Sequence, residues 1–575
     1  RRIGQAERRS GMGTSAFTLQ DQRLGPLPLI NHFLTRLNLD AFLEEFVPTA
    51  DRRVALSYAK ALGVLLRSVI VEREPIYRQA ETVESFAPEA FGLGPEEVAL
   101  LTDDRIGRAL DRLFDADRGS FLTRVVVHTV SHFRLDLREV HNDSTTVRLT
   151  GQYASATGRS LRGRRAPWIT RGHSKDHRPD LKQLLFILTS SADGGIPVQF
   201  RAADGQASDA RSHIETWEVL QQITGRGDFL YVADSKLCMA ENLDYLDRHR
   251  GRFVTVLPRA RREDREFREW IQTHEPAWEL VWDRPHPKGA GGPRDLWSVF
   301  RYPLPSREGW PVIWVWSSRL TLRQQQSRRE RMAGAVQELD AIRRRLEGKR
   351  PRVRSREDLL RKVEGILERW KVKRYLKVKI QHLQSHQYRQ THRGRPGPET
   401  RYTRRTTRRL SLEWKTEEEA IAYDRKTDGM YPLLTNDRQL SPREVLEAHK
   451  RQPTIEKRFQ QLKSVHDIAP VFLKNEGRIE ALFFVYFLGL LVQAIMEREL
   501  RRAMRRRRIR ELPLYPEERL CKAPSTEQVL KLFSLPERHI LYQNNRPAAV
   551  FQPRLTPLQR QVLTLLGVPE RAYRA

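Results

Sequence analysis

Five short apolar runs follow one another between residues 140 and 257, and none is long enough to be an independent helix. They cover 140–146, 184–189, 196–200, 229–233 and 253–257, each bounded by Gly, Asp or Ser. Runs of that length with that punctuation predict β-strands. Between the fourth and fifth, Leu237, Ala240, Leu243 and Leu246 recur at helical spacing. A strand cluster that passes into strand–helix alternation makes the region α/β. The tract 158–180 between the first two strands is polar and basic and predicts a loop or a long hairpin connection.

The flanks read differently. From about 25 to 133, Leu62, Leu65, Leu66, Val69 and Ile70, then Ile106, Leu110, Leu113 and Phe114, fall on helical stripes. Three aromatic strand candidates at 278–282, 296–302 and 312–316 precede two long helices. In these, Ala335, Leu339, Ile342 and Leu346, then Leu359, Val363, Ile366 and Trp370, repeat the same offsets. Ser355 before Asp358 supplies a cap for the second helix, so the pair predicts a helical hairpin. A basic turn, 393–398, leads to Arg404, Arg405, Arg408 and Arg409, and a strand at 430–434 with the Glu456 helix resumes the α/β pattern. The expected division is an α-helical N-terminal DNA-binding or accessory domain (1–133), a first core part (134–268), a large mixed α/β insertion (269–427), a second core part carrying the Glu456 helix (428–510) and a helical C-terminal region (511–575).

Lys and Arg number 103 against 72 Asp and Glu in 575 residues, a formal net charge of +31. Such an excess calls for a polyanion, nucleic acid first, because each cation placed on a phosphate releases condensed counterions. A membrane surface would need an apolar face beneath the charge. The apolar stretch 481–496, interrupted by Gln493, falls short of the roughly 20 residues that span a bilayer and predicts a buried helix. Two cysteines, Cys238 and Cys521, exclude a disulfide framework and a Cys-rich zinc module. With no signal-peptide core in residues 1–5, the expected location is cytoplasmic and nucleoid-associated.

Three acids stand where strands and a helix can fix them. Asp143 lies mid-strand beside Ser144 and Thr145, and Asp234 ends the fourth strand. In the late helix, Ile455, Phe459 and Leu462 bury one face and leave Glu456 and Lys463, at i and i+7, together on another. Two divalent cations about 4 Å apart need several carboxylate oxygens, and one or two carboxylates per Mg²⁺ with substrate phosphate completing the shell is its usual arrangement. Singly, each acid is more often a cap, turn or solvated residue, and Asp136, Glu139, Asp193, Asp204, Asp209 and Asp428 compete with them. The order first strand, fourth strand, late helix is the one in which a ribonuclease-H-like fold brings three acids to one point.

These residues resemble the bacterial insertion-sequence DDE transposases of the IS-four-like superfamily, IS-sixteen-thirty-four branch. The resemblance runs from 103–111 through Asp143-Ser144-Thr145, 172–182, Asp234-Ser235-Lys236, Asp428-Gly429, Thr435-Asn436 and Ile455-Glu456 to Lys463. It implies a ribonuclease-H-like catalytic core in which Asp143, Asp234 and Glu456 bind Mg²⁺, with Mn²⁺ as a substitute, and Lys463 holds a phosphate. It also implies a largely β insertion between the last core strand and the Glu helix, and 222 residues separate Asp234 from Glu456. The implied activity is cleavage at the ends of an insertion sequence and transfer of the 3′-hydroxyl ends into target DNA. The partners are double-stranded DNA, as terminal inverted repeats and target, and a second copy in a synaptic homodimer, with no membrane. The family's helix signature is Tyr-x₂-Arg-x₃-Glu-x₆-Lys; His449 and Gln452 stand at its first two positions, Arg451 adjoins the missing Arg, and Pro453 interrupts the helix. Expected DNA contacts are Arg451, Arg393 and Arg395 of an Arg-Gly-Arg-Pro stretch suited to A·T-rich minor grooves, Arg404, Arg405, Arg505 and Arg506. The rival readings are a nuclease of the same fold that cuts without joining, a catalytically silent transposase-derived DNA-binding protein, and a charge-driven scaffold.

Overall fold

The computed structural model describes residues 17–574 except 52, 73, 177, 208–211, 286–291, 349–354, 470, 472 and 545. Residues 1–5, His177 and the competing acid Asp209 therefore lie outside the described residues. The chain forms two compact units, one from 1–255 with 447–575 and one from 256–446. The second encloses the expected insertion and extends it at both ends.

The first unit opens with strand β1 (Phe17–Arg23) and a set of helices, of which Tyr58–Val71, Asp103–Asp115 and Arg118–Phe133 carry the expected apolar stripes. Thr102 caps the middle one by accepting from the Arg105 N–H at 3.2 Å. Strand β2 (Glu139–Leu149) follows. The polar tract after it holds the short hairpin β3 (Ser160–Leu161) and β4 (Arg164–Arg165), and then come β5 (Lys182–Ser191), β6 (Pro197–Ala203), β7 (Leu230–Ala233) and β8 (Arg252–Val256). Their order is β6-β5-β2-β7-β8. The pairs β2–β5 and β5–β6 are antiparallel, while β2–β7 and β7–β8 are parallel. Parallel neighbours need crossovers, which the helices Ser212–Thr224 and Ala240–Arg248 supply. The unit is mixed α/β.

β5 is buried along nearly its whole length because helices cover the sheet. The helix Glu476–Arg506 packs against β6 and the N-terminal helices, and Phe487 stacks 5.8 Å from Phe200. At 31 residues it outruns the expected stretch and is long and apolar enough to cross a bilayer, yet 94% of its most apolar window is buried inside the protein. It is a core helix.

In the second unit, β9 (Glu279–Arg284), β10 (Asp295–Arg301) and β11 (Val312–Ser317) lead into helices Ser318–Glu347 and Arg356–Arg369. The Ser355 hydroxyl accepts from the Asp358 N–H at 3.1 Å, the expected cap. Ala335, Leu339 and Leu346 pack with Leu359, Val363 and Ile366, and the helical hairpin forms as its stripes require. Beyond it the basic turn proves to be the tip of an antiparallel ribbon, β12 (Leu376–Gln390) with β13 (Tyr402–Thr416), each 15 residues long. β14 (Met430–Thr435) pairs with β11.

The C-terminal region is not wholly helical. Helices Thr526–Leu532 and Pro557–Leu566 form, but β15 (Glu537–Gln543) and β16 (Arg546–Phe551) lie between them, and β15 also pairs with β1. The run Ile540-Leu541-Tyr542 has the β-branched and aromatic character of a strand, and Asn544 takes the left-handed φ of 51° at the hairpin turn.

Candidate functional site

The parallel register of β2 and β7 pairs Asn142 with Ala233. One step on, Asp143 and Asp234 stand abreast on one face of the sheet. Asp234 keeps an extended backbone and caps a short turn by accepting from the Lys236 N–H at 3.0 Å, and the Thr255 hydroxyl donates to its carbonyl at 2.7 Å. Burial pushes the Asp143 carboxyl up from its ordinary value; Lys175 and the Ser144 N–H pull it down, and the negative Asp234 adds to the rise. Two unit charges about 5 Å apart, the spacing of neighbouring strands, repel by about 3 kcal/mol at an effective dielectric near 20. The pair calls for a cation.

Lys175 supplies part of that charge. The tract 158–180 folds back over β2, so that the Lys175 ammonium lies 3.2 Å from Asp143 Oδ1, 2.5 Å from the Ser144 carbonyl and 3.0 Å from the Ser144 hydroxyl. The Ser174 hydroxyl fixes this turn by accepting from the N–H groups of Asp176 and Arg178. Asp176 next door accepts from Lys463 Nζ at 2.7 Å and from the Thr146 hydroxyl at 3.3 Å. Lys463 is thus joined to Asp176. It sits in a π-helical turn, Gln461–Val465, whose angle per residue differs from the α-helical one assumed for the i, i+7 spacing with Glu456.

Glu456 lies in the helix Pro453–Gln460, which begins with Pro453 at its first turn rather than being broken by it. Ile455, Phe459 and Leu462 are buried as the spacing requires. Glu456 is exposed and has no hydrogen-bond or ion-pair partner among the described residues. What fixes this helix is Arg458, which the sequence reading did not single out. Fully buried, it donates to the carbonyls of Gly195 and Gly194, each at 2.9 Å, and to Gln461 Oε1 at 2.8 Å, with Glu497 at 3.4 Å. Gly195 has φ +63°, and a Cβ there would lie 2.9 Å from Thr454 Cγ2. The β5–β6 turn must therefore be glycine for the helix to come this close.

Of the expected DNA contacts, Arg451 makes a two-pronged ion pair with Glu139, both contacts at 2.6 Å, tying the helix Pro442–Arg451 to the start of β2. Burial, aided by Lys450 and His141, holds His449 down to about 3, so its imidazole is neutral at physiological pH. Arg505 and Arg506 are exposed at the end of the 476–506 helix, whereas Arg501 donates to the carbonyls of Ala523 and Pro524. Arg393, Arg395, Arg404 and Arg405 are exposed on the ribbon and its turn.

Among the described residues no group of three His, Cys, Asp or Glu side chains is placed to hold a metal ion. The structure brings Asp143 and Asp234 together with Lys175, and leaves Glu456 unpartnered on a helix that packs against β2 and β5. Two carboxylates are what Mg²⁺ commonly takes from a protein, so the aspartate pair fits one such ion. No family model matches the chain, and no curated protein matches it. Among solved structures, it is similar to the piggyBac transposase in a cryo-EM structure of its synaptic complex with hairpin DNA. The TM-score is 0.26 and the identity 10%, over 51% of this chain and 60% of that one, a likeness too slight to define fold or function.

Proposed function

We propose that the protein is a DNA transposase of the DDE type, with a ribonuclease-H-like core in which Asp143, Asp234 and Glu456 hold Mg²⁺. The observation that carries this reading is the pairing of Asp143, within β2, with Asp234, directly after the adjacent parallel strand β7, among five first-unit strands that lie in the order β6-β5-β2-β7-β8 within the larger sheet. In order of appearance that is third, second, first, fourth, fifth, the strand order of a ribonuclease-H-like sheet. Bound Mg²⁺ supplies activation of the attacking oxygen and neutralisation of the leaving one at a phosphodiester. The chain's residues do the rest. Asp143 within β2 and Asp234 directly after β7 would present carboxylate oxygens to the ion, Glu456 would be the third ligand, and Lys175 balances charge beside Asp143. No nucleophilic side chain is needed. The substrates are the ends of an insertion sequence and a target duplex, and two ends brought together require at least two copies of the protein.

Asp143→Ala, Asp234→Ala and Glu456→Ala are each expected to abolish Mg²⁺-dependent cleavage of a labelled element-end duplex while leaving binding within about threefold. A labelled joint product distinguishes a transposase from a nuclease that only cuts. A catalytically silent DNA-binding protein is the second reading, favoured by the want of an assembled three-acid group among the described residues. Full cleavage by any of the three variants overturns the assignment.

A further inference from the structure

The chemistry proposed above makes no use of the β12–β13 ribbon, although it is built for contact. Directly paired residues of an antiparallel ribbon share a face. On one face, Leu376, Val378, Ile380, Leu410, Leu412 and Trp414 seat the ribbon base on the helical hairpin. Past that base, residues 382–409 are exposed except Gln390, Thr400 and Thr407, which are partly buried. Fifteen residues of strand extend about 50 Å. A protruding strand pair without a core on either side has no folding reason to be this long.

Its charge says what it meets. Residues 382–410 contain eight arginines and one acid, Glu399. None of the eight has an ion-pair partner among the described residues. Nearer the base Lys377 is paired with Glu417 at 2.9 Å. A second ribbon would set like charges against each other. A membrane would need one apolar face, but the exposed apolar side chains are split, Leu383 on one face and Tyr388 and Tyr402 on the other. The partner is a polyanion. A two-stranded ribbon fits the B-form major groove, about 12 Å wide, whereas the A-form groove of an RNA duplex is too narrow to admit it.

The face turned away from the helical hairpin carries Ser385, Gln387 and Arg389 opposite Thr407, Arg405 and Thr403, with Arg409 opposite Leu383. Arg fits guanine O6 and N7, Gln fits adenine N6 and N7, and Ser and Thr fit either. We infer that β12–β13 is a reading arm that enters the major groove of duplex DNA, with Gln387, Arg389, Arg405 and Arg409 on the base edges. This rests on the transposase reading and adds to it the element that recognises sequence.

Duplexes recovered by the full-length chain from a random-sequence DNA pool provide the probe. Methylation of guanine N7 in the recovered sequence is expected to block binding. The triple variant Arg389→Ala/Arg405→Ala/Arg409→Ala, folded by circular dichroism, is expected to bind about ten- to a hundredfold more weakly. An RNA duplex of the same sequence is expected to bind no better than unrelated duplex. If the variant binds and selects DNA as the wild type does, or N7 methylation has no effect, the reading arm is wrong while the transposase reading stands. A variant altered only in oligomeric state overturns it in favour of self-association. If the wild-type chain binds no duplex at all, both readings fall.

Discussion

At the scale of single residues, the site is an exercise in charge balance. That Asp143 and Asp234 stand on or directly after a strand was legible in the sequence, because each interrupts or ends a short strand-forming run. Lys175 and Asp176 were not singled out by spacing, since the tract 158–180 has no apolar periodicity to say which part folds back over β2. The Lys175 ammonium competes with any cation bound at Asp143. Lys175→Met is therefore expected to tighten Mn²⁺ binding to the DNA-free protein by about tenfold, read by calorimetry; unchanged or weaker binding contradicts the arrangement. Arg458 holds the Glu456 helix by buried contacts to two other segments, the β5–β6 turn and the helix Glu476–Arg506. Arg458→Met, which leaves those acceptors without their donor, is expected to cost about 3 kcal/mol in thermal or denaturant unfolding.

At the scale of elements, the strands and stripes followed from periodicity, and the exceptions have physical causes. The ribbon is not legible in the sequence because beyond Ile380 its few apolar residues, Leu383, Tyr388 and Tyr402, are split between its two faces, so no period-two signal forms there. Lys463 reaches Asp176 from a π-helical turn that changes the angle per residue, which spacing cannot reveal. The β5–β6 turn is a test of how the Glu456 helix is placed. Gly195→Ala is expected to cost about 1–3 kcal/mol and to lower cleavage more than DNA binding. In the second unit, the start of the helix Arg262–Trp270 is set by Arg261, 2.6 Å from Glu263 and 2.7 Å from Glu308. Burial alone would raise the Glu263 carboxyl, but the Arg261 guanidinium and the Arg307 N–H outweigh it and hold it at about 2 rather than 4.5. A depressed carboxylate stabilises the fold above its ordinary value, and that contribution disappears as pH falls toward 2. Glu263→Gln is expected to cost about 1–2 kcal/mol at pH 7, allowing for solvent screening, with the gap to wild type closing near pH 2. A constant gap across that range would contradict the ion-pair account.

At the scale of the whole molecule, the +31 net charge is not spread as a uniform coat. Many arginines are paired or buried as structural ties, among them Arg67, Arg458 and Arg498. The ribbon and the end of the 476–506 helix keep theirs exposed. Composition raises the expectation of a polyanion but is silent on which cations are left exposed to meet one, because pairing depends on contacts between residues hundreds of positions apart. The division into two units follows the same logic. The second unit has its own helical-hairpin core, and all three acids lie in the first.

The central claim is that the two strand aspartates and Glu456 hold a catalytic cation. Anomalous X-ray scattering from crystals of the full-length protein with Mn²⁺ and a DNA end tests it most directly. The account predicts a peak within about 2.2 Å of carboxylate oxygens of both Asp143 and Asp234, with Glu456 in the same shell. Saturating Mn²⁺ with no peak at this pair, or a peak bound by other side chains, would contradict it.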